Sequence, residues 1–460
     1  MDITRIRSLL IIAVLSLAAI ALALVLGLSG LASAHPPAAR SAMPTIPTFA
    51  TSPAATDPSE EAARAIEARY QALGGPTGVL GPPTSAVTPV TGGYFRWFMN
   101  GRIYYSTAAG AWELTGVMLD HFLALGGPDG SLGLPTSTTY QSGSATVQNF
   151  VKGRVYFTSS RGPHAVLGAT LARYLTLGGP SGPLGVPNKG EYAGKKAGVR
   201  VTNFQHGRIW YSVSTGAWEA LGPILHKYLT IGAESSWIGL PTSAAKPGPN
   251  GTWQRFQNAT IQYYPAKRAA YVRVPWSTAM TVPTASDLPY TYRSGCPVKP
   301  ANLRMIRLPF RNFSLDDQYG TIVVRSSVVP EVTAVFKSAQ ANNWAIRRIV
   351  PVDKYKGSDE ASMRADNTSA FNCRKVTGNP YRLSQHSYGN AVDINTFENP
   401  YVTATKVYPE GSETYLNRNN KRKGMILRGD PVESVFRGFG WPWGARWRYP
   451  DYQHFSENGA

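Results

Sequence analysis

Hydrophobic positions fall along this chain in three different ways, and each predicts a different kind of element. At the start, a nearly unbroken apolar run from Leu9 to Leu28 follows a short segment carrying Arg5 and Arg7. Ala32-Ser33-Ala34 before His35 gives a small-x-small cleavage pattern, so residues 1–34 read as a signal peptide. A run of that length also spans a bilayer, so an uncleaved N-terminal membrane anchor is the alternative. Either way the rest of the chain is expected outside the cytoplasm. Residues 35–59, rich in Pro, Ala, Ser and Thr, read as an extended spacer.

From residue 60 to 275 the pattern is periodic. Leu73-Gly-Gly-Pro76, Leu125-Gly-Gly-Pro128, Leu177-Gly-Gly-Pro180 and Ile231-Gly-Ala-Glu234 begin 52, 52 and 54 residues apart. Gly-x-Pro follows each at the same offset: Gly81-Pro83, Gly133-Pro135, Gly185-Pro187 and Gly239-Pro241. Then comes a strand and turn, Phe98-Met-Asn-Gly-Arg-Ile-Tyr-Tyr105 in the first copy, with counterparts at Phe150–Phe157 and Phe204–Tyr211. The fourth counterpart, Phe256–Tyr264, lacks the turn glycine. Each unit is predicted to be a short amphipathic helix, a Gly/Pro turn and a β-hairpin. Ala63, Ile66, Tyr70 and Leu73 share one helical face. A unit this small buries too little apolar surface alone, so the copies must stack or interlock. The hairpin aromatics suit a core, with stacking on sugar rings as the alternative.

Residues 276–295 read as a linker, and 296–460 as an α+β domain with a mostly antiparallel sheet. Strands are predicted at 302–308, 321–325 and 345–352, with a helix opened by Pro330 between the last two. A second helix opens at Asp430-Pro431 and ends by Gly438 or Gly440. Ala391–Asn395 alternates, placing Val392 and Ile394 toward the core and Asp393 on the other face.

The formal net charge of +19 favours anionic partners. No nucleic-acid recognition motif accompanies it, so nucleic acid is not an expected partner, and anionic polymers outside the cell are. Cys296 and Cys373 are the only cysteines. In an oxidising compartment such a pair is expected to be bridged rather than left as two thiols. The bridge would close a loop of 77 residues. A closure of that size stabilises by about 4 kcal/mol in the chain-entropy account.

The candidate chemistry lies in the last domain. His386 and His454 are its only histidines, and each has a carboxylate nearby: Asp393 seven residues after His386, Asp451 three before His454. Two imidazoles, one ligating carboxylate and one further carboxylate are what a catalytic zinc site requires: three ligands, a position for water, and a base. His121, His164, His206 and His226 do not recur at one repeat offset, and read as ordinary surface or core residues.

Two resemblances sharpen this. The Leu-Gly-Gly-Pro copies resemble the LGFP repeat of actinobacterial cell-wall proteins, which implies attachment to wall polysaccharide of arabinogalactan type. Ser384-x-His-x-x-Gly-x-Ala-x-Asp393 resembles the motif of the D-alanyl-D-alanine carboxypeptidase family of zinc peptidases, which includes L-alanyl-D-glutamate endopeptidases. Asp366–Arg374, Glu398–Tyr401 and Phe439–Trp447, leading into Asp451–Phe455, continue the likeness in order. It implies that His386, Asp393 and His454 bind Zn2+, that Asp451 is the general base, and that Arg374 stabilises the anionic oxygen. It further implies that Ser384 contacts substrate, and that the substrates are peptidoglycan stem peptides. Many members carry Glu where this chain has Asp451. For Arg374, a structural ion pair with Asp366 or a neighbour is the other reading. The alternative for the whole chain is a wall-binding scaffold with a degenerate peptidase domain.

Overall fold

Each period builds a helix followed by a four-stranded antiparallel meander. The computed structural model describes residues 57–376 and 379–459, so the N-terminal segment 1–34 and most of the spacer lie outside the described residues. The repeat helices are α1 (Pro58–Ala72), α2 (Gly116–Ala124), α3 (Gly168–Thr176) and α4 (Gly222–Thr230). The first copy continues as β1 (Thr88–Val90), β2 (Gly93–Phe98), β3 (Gly101–Ser106) and β4 (Gly110–Thr115). The second holds β5 (Tyr140–Ser142), β6 (Ala145–Phe150), β7 (Gly153–Thr158) and β8 (Gly162–Leu167). The third holds β9 (Pro187–Ala193), β10 (Arg200–Phe204), β11 (Gly207–Ser212) and β12 (Gly216–Leu221). The fourth holds β13 (Lys246–Gly248), β14 (Gly251–Arg255), β15 (Thr260–Tyr264) and β16 (Ala269–Arg273). The expected hairpin is therefore the middle pair of a larger sheet.

The recurring aromatics are core. Tyr70, Phe122, Tyr174 and Tyr228 on the four helices meet Phe98, Phe150, Phe204 and Phe256 at 4.6, 5.5, 4.6 and 4.7 Å. The tyrosine hydroxyls donate to the carbonyls of Gly81, Gly185 and Gly239, which ties helix to Gly-x-Pro turn. The buried face of α1 is Ala62, Ile66 and Tyr70; Ala63 is half-buried, one position from where the pattern put it. Copies interlock, because Phe122 packs with Tyr104 and Leu114 of the first copy and with Leu132 and Val155 of its own. Each helix ends on a left-handed glycine, such as Gly74 with φ 94°, and the next residue also has positive φ. In the fourth copy that residue is Ala233, with φ 50°. Glu234 after it accepts from Lys195 N and Trp210 Nε1, so the altered motif binds the third copy to the fourth.

One helix position carries a basic residue in every copy. Arg69 pairs with Glu113 at 2.7 Å and lies over Trp112; Arg173 pairs with Glu219 at 2.7 Å and lies over Trp218. In the second copy the three positions hold His121, His164 and Ala165, and the Nε2 atoms of both histidines are buried without a hydrogen-bond partner. In the fourth, Lys227 reaches instead to Asp316 of the C-terminal domain at 2.5 Å.

That domain starts earlier than its cysteine. Its elements are β17 (Ala279–Thr281), β18 (Leu303–Arg311), β19 (Asp317–Arg325), α5 (Val329–Ala341), α6 (Asp359–Arg364), β20 (Lys375–Val376), β21 (Asn379–Leu383), β22 (Ala391–Asp393), β23 (Tyr401–Val402), β24 (Val407–Tyr408), α7 (Pro431–Gly438) and β25 (His454–Ser456). β17 lies in the 276–295 stretch and pairs with β18, and Leu288 is fully buried against Val298 and Leu303, so this stretch is folded into the domain rather than linking to it. Its apolar residues are few, and Leu288 is the one that anchors it in the core, while Met280, Val282 and Tyr290 are exposed. Cys296 and Cys373 are bridged, with Cα atoms 6.0 Å apart. Residues 345–352 form no strand. Ile346 N donates to Arg311 O, but Arg347 N and Val350 N donate to the side-chain oxygens of Asn395 and Asn367. Side-chain amides thus replace the missing ladder. Helix α5 packs on β18 and against α7, with Phe336 and Phe436 fully buried. Among the described residues, no helix is long and apolar enough to cross a membrane.

Candidate metal centre

Asp393 and His454 face each other across the antiparallel pair β22–β25. Directly opposed residues in such a pair hold their Cβ atoms about 5 Å apart, close enough for the two side chains to share a ligand. All of β22 is buried, Asp393 included. On the other edge of β22, Ser369 exchanges backbone hydrogen bonds with Asp393 at 2.9 Å.

His386 sits in the short turn Gln385–Tyr388. Ser384 caps the turn, its hydroxyl oxygen accepting from His386 N at 3.3 Å. Gly389 ends it with φ 68°, and a Cβ there would stand 2.8 Å from Arg325 N, which instead donates to Gly389 O. The turn is thereby pinned to the end of β19. His386 Nδ1 lies 2.5 Å from Ala370 O. A carbonyl can only accept, so Nδ1 carries the proton and Nε2 presents a lone pair.

Three donors then converge. His386 Nε2 is 3.0 Å from Asp393 Oδ2, His454 Nδ1 is 2.9 Å from Asp393 Oδ1, and the two nitrogens are 3.3 Å apart. Ligands held at 2.0–2.1 Å around a tetrahedral zinc stand about 3.3 Å from one another. The three side chains therefore fit zinc in type and spacing, and all three are buried.

Burial alone would push the His386 imidazole down, but the Asp393 carboxylate raises it above the ordinary histidine value. Burial also opposes ionisation of Asp393, yet the charge and hydrogen bond of His386, then those of His454, hold it far below the usual carboxylate range. Asp451 goes the other way: burial, then the Asp393 charge, push its carboxyl well above that range, against the pull of His454. Asp451 Oδ1 is buried without a hydrogen-bond partner, beside the three converging side chains. A cation and its water would satisfy it.

Ser384, Arg374 and Asp451 line one cleft with the triad. Arg374 is fixed through its backbone: its N–H donates to Ser387 Oγ, its carbonyl accepts from Ser387 and Ser384, and Cys373 beside it is bridged. Its guanidinium pairs with Asp359 at 2.7 Å, whereas Asp366 pairs with Arg347 at 2.9 Å. Asp359, Tyr401 and Trp447 also line the cleft and were not singled out from the sequence. Trp447 lies 5.3 Å from the His454 ring, and Tyr401 is bridged to Asp451 through its backbone. Both fall inside the quoted motif segments; Asp359 falls in none.

Residues 377–457 match the family model described as D-alanyl-D-alanine carboxypeptidase. This part of the chain is similar to that peptidase family. The match contains His386, Asp393, Asp451 and His454, and begins after Arg374. The LGFP repeat matches at 80–130, 132–182 and 184–236, each span running from one Gly-x-Pro turn through the next helix. No curated protein matches the chain. Among solved structures, the extracellular domain of a hybrid two-component system from B. thetaiotaomicron matches at 11% identity, over 52% of this chain and 25% of that one, with a TM-score of 0.13. The chain thus spans about a quarter of that protein, and at this score the match bears on neither fold nor function.

Proposed function

We propose that this chain is an exported, zinc-dependent peptidase that hydrolyses peptidoglycan stem peptides and is held at the cell wall by its LGFP repeats. The observation that carries the reading is the convergence of His386, Asp393 and His454 beside a buried, unpartnered Asp451 oxygen. When bound there, zinc supplies Lewis acidity and acidifies a water near neutral pH. Asp451 would take a proton from the attacking water and deliver it to the leaving amine. Arg374 faces the substrate oxygen as negative charge develops on it, and Ser384 contacts the peptide from the edge of the cleft. The bond is D-Ala-D-Ala or L-Ala-D-Glu, as in carboxypeptidases and endopeptidases of the similar family. The repeats, with their buried aromatics, offer outer surfaces to an arabinogalactan-type polysaccharide.

Incubating the purified chain with defined muropeptides and weighing the products tests this. Release of D-alanine, or of fragments cut after L-alanine, supports it and identifies the bond. Wall binding with no fragment released contradicts it and favours a scaffold.

A further inference from the structure

Arg374 has a partner that no motif contains. Asp359 opens α6, fifteen residues before Arg374 in the chain, and its Oδ2 lies 2.7 Å from Arg374 Nη2. Both side chains are about four-fifths buried, at 18% and 19% exposure, and both line the cleft with the three converging ligands. The turn before α6 is tied to the segment that leads into Arg374, because Asn372 Nδ2 donates to Gly357 O at 3.1 Å. Arg374 Nη1 donates to Lys375 O at 3.1 Å, which holds a second edge of the guanidinium. With the backbone of Arg374 already fixed by Ser387 and the disulfide, only the side chain is left to be aimed. The neighbouring Glu360 takes no part; it pairs with Arg364 on the surface, both 58% exposed.

We propose that Asp359 is the positioning residue for Arg374, holding the guanidinium planar against the cleft so that it meets the substrate oxygen as charge develops. This rests on the zinc-peptidase reading. A carboxylate on one edge of a guanidinium fixes the plane in which the group lies and so the direction its other edges face. A donor already in place strengthens in the transition state without reorganising, so its alignment is expressed in kcat more than in KM.

The test is a double-mutant cycle in the full chain, with kcat, KM and bound zinc measured on a stem-peptide substrate. Asp359→Ala and Asp359→Asn are expected to lower kcat by about 10- to 100-fold, with KM changed by less than about threefold and zinc retained. Asp359→Glu restores most of the rate. Asp359→Ala in an Arg374→Ala background costs little more, because the residue acts through the arginine. An unchanged kcat in Asp359→Ala, full additivity with Arg374→Ala, or an equal loss in Glu360→Gln would overturn the proposal. Failure of the underlying reading looks different: wild-type protein that hydrolyses nothing, or that ignores chelation, and the proposal then falls with it.

Discussion

Between Pro58 and Arg273 the interior is almost wholly apolar, and its buried charges, Glu219 and Glu234, are each closed by a neighbour from the repeats. The C-terminal domain instead buries Arg311, Asp316, Asp317, Asp366, Asp393, Glu398, Glu433 and Asp451, together with His386 and His454. Most of these are also closed: Arg311 holds Asp317, and Arg347 holds Asp366 and Glu398. Even so, burial, then Asp366, pushes Glu398 up to about 8. What differs at the cleft is that the donors of His386, Asp393 and His454 turn toward one another instead of toward separate partners. Withdrawing such groups from water costs free energy that packing does not recover. The repeats spend their sequence on packing, and the C-terminal domain keeps part of its interior for a ligand.

The sharpest way to break this comparison is at Asp451. Asp451→Asn should lower hydrolysis on the order of 10²–10⁴-fold while zinc content stays unchanged, because the residue serves as base and not as ligand. Loss of zinc in that variant would move Asp451 into the ligand set.

A smaller effect is expected from the other region. Phe122→Ala removes a fully buried ring from the joint between the first two copies and should cost about 3–5 kcal/mol of stability there. Denaturant unfolding followed by fluorescence should show an early transition, while hydrolysis per folded molecule is unchanged. A parallel fall in hydrolysis would show that the copies support the cleft directly.

The smallest effect separates the copies from each other. Burial lowers His121, and so does the charge of His164; burial also lowers His164, against a hydrogen bond to the Arg161 backbone that raises it. On α2 and the elements against it, the acids are Asp120, Asp129 and Glu113, and Glu113 is engaged by Arg69 and Thr138. Histidines lowered in the folded state stabilise fully above their unfolded value, and that stability is lost as pH falls through the folded values. Restoring the pattern of the other copies with His121→Arg, His164→Trp and Ala165→Glu should therefore remove part of the acid sensitivity. Between pH 7.5 and 5 the melting temperature of wild type should fall about 2–4 °C further than that of the variant. Equal falls would show that the pair contributes nothing to it.

How much of this could be read beforehand follows from where each signal lies. The repeat was legible because left-handed turns demand glycine at fixed offsets, and the four copies keep Gly74, Gly126, Gly178 and Gly232 in step. The convergence of His386 and His454 was legible because the domain has two histidines and little else to confuse them with. The four-stranded meander was not, since β1, β5 and β13 are three residues long and carry too short an alternation to register. Residues 345–352 looked like a strand because Ile346 and Ile349 are buried, but their neighbours' N–H groups go to Asn395 and Asn367, a choice no local pattern reveals. Asp359 was invisible for the same reason: its partner is set by tertiary contact.

The claim that stands beneath the rest is that three side chains share one zinc ion. Metal analysis of the full chain, set beside that of Asp393→Ala, tests it most directly. The account predicts one zinc per chain in wild type, hydrolysis that disappears on chelation and returns with added zinc, and neither metal nor activity in the variant. Wild-type protein that binds no zinc yet cleaves stem peptides, or an Asp393→Ala variant that keeps both metal and rate, would contradict it.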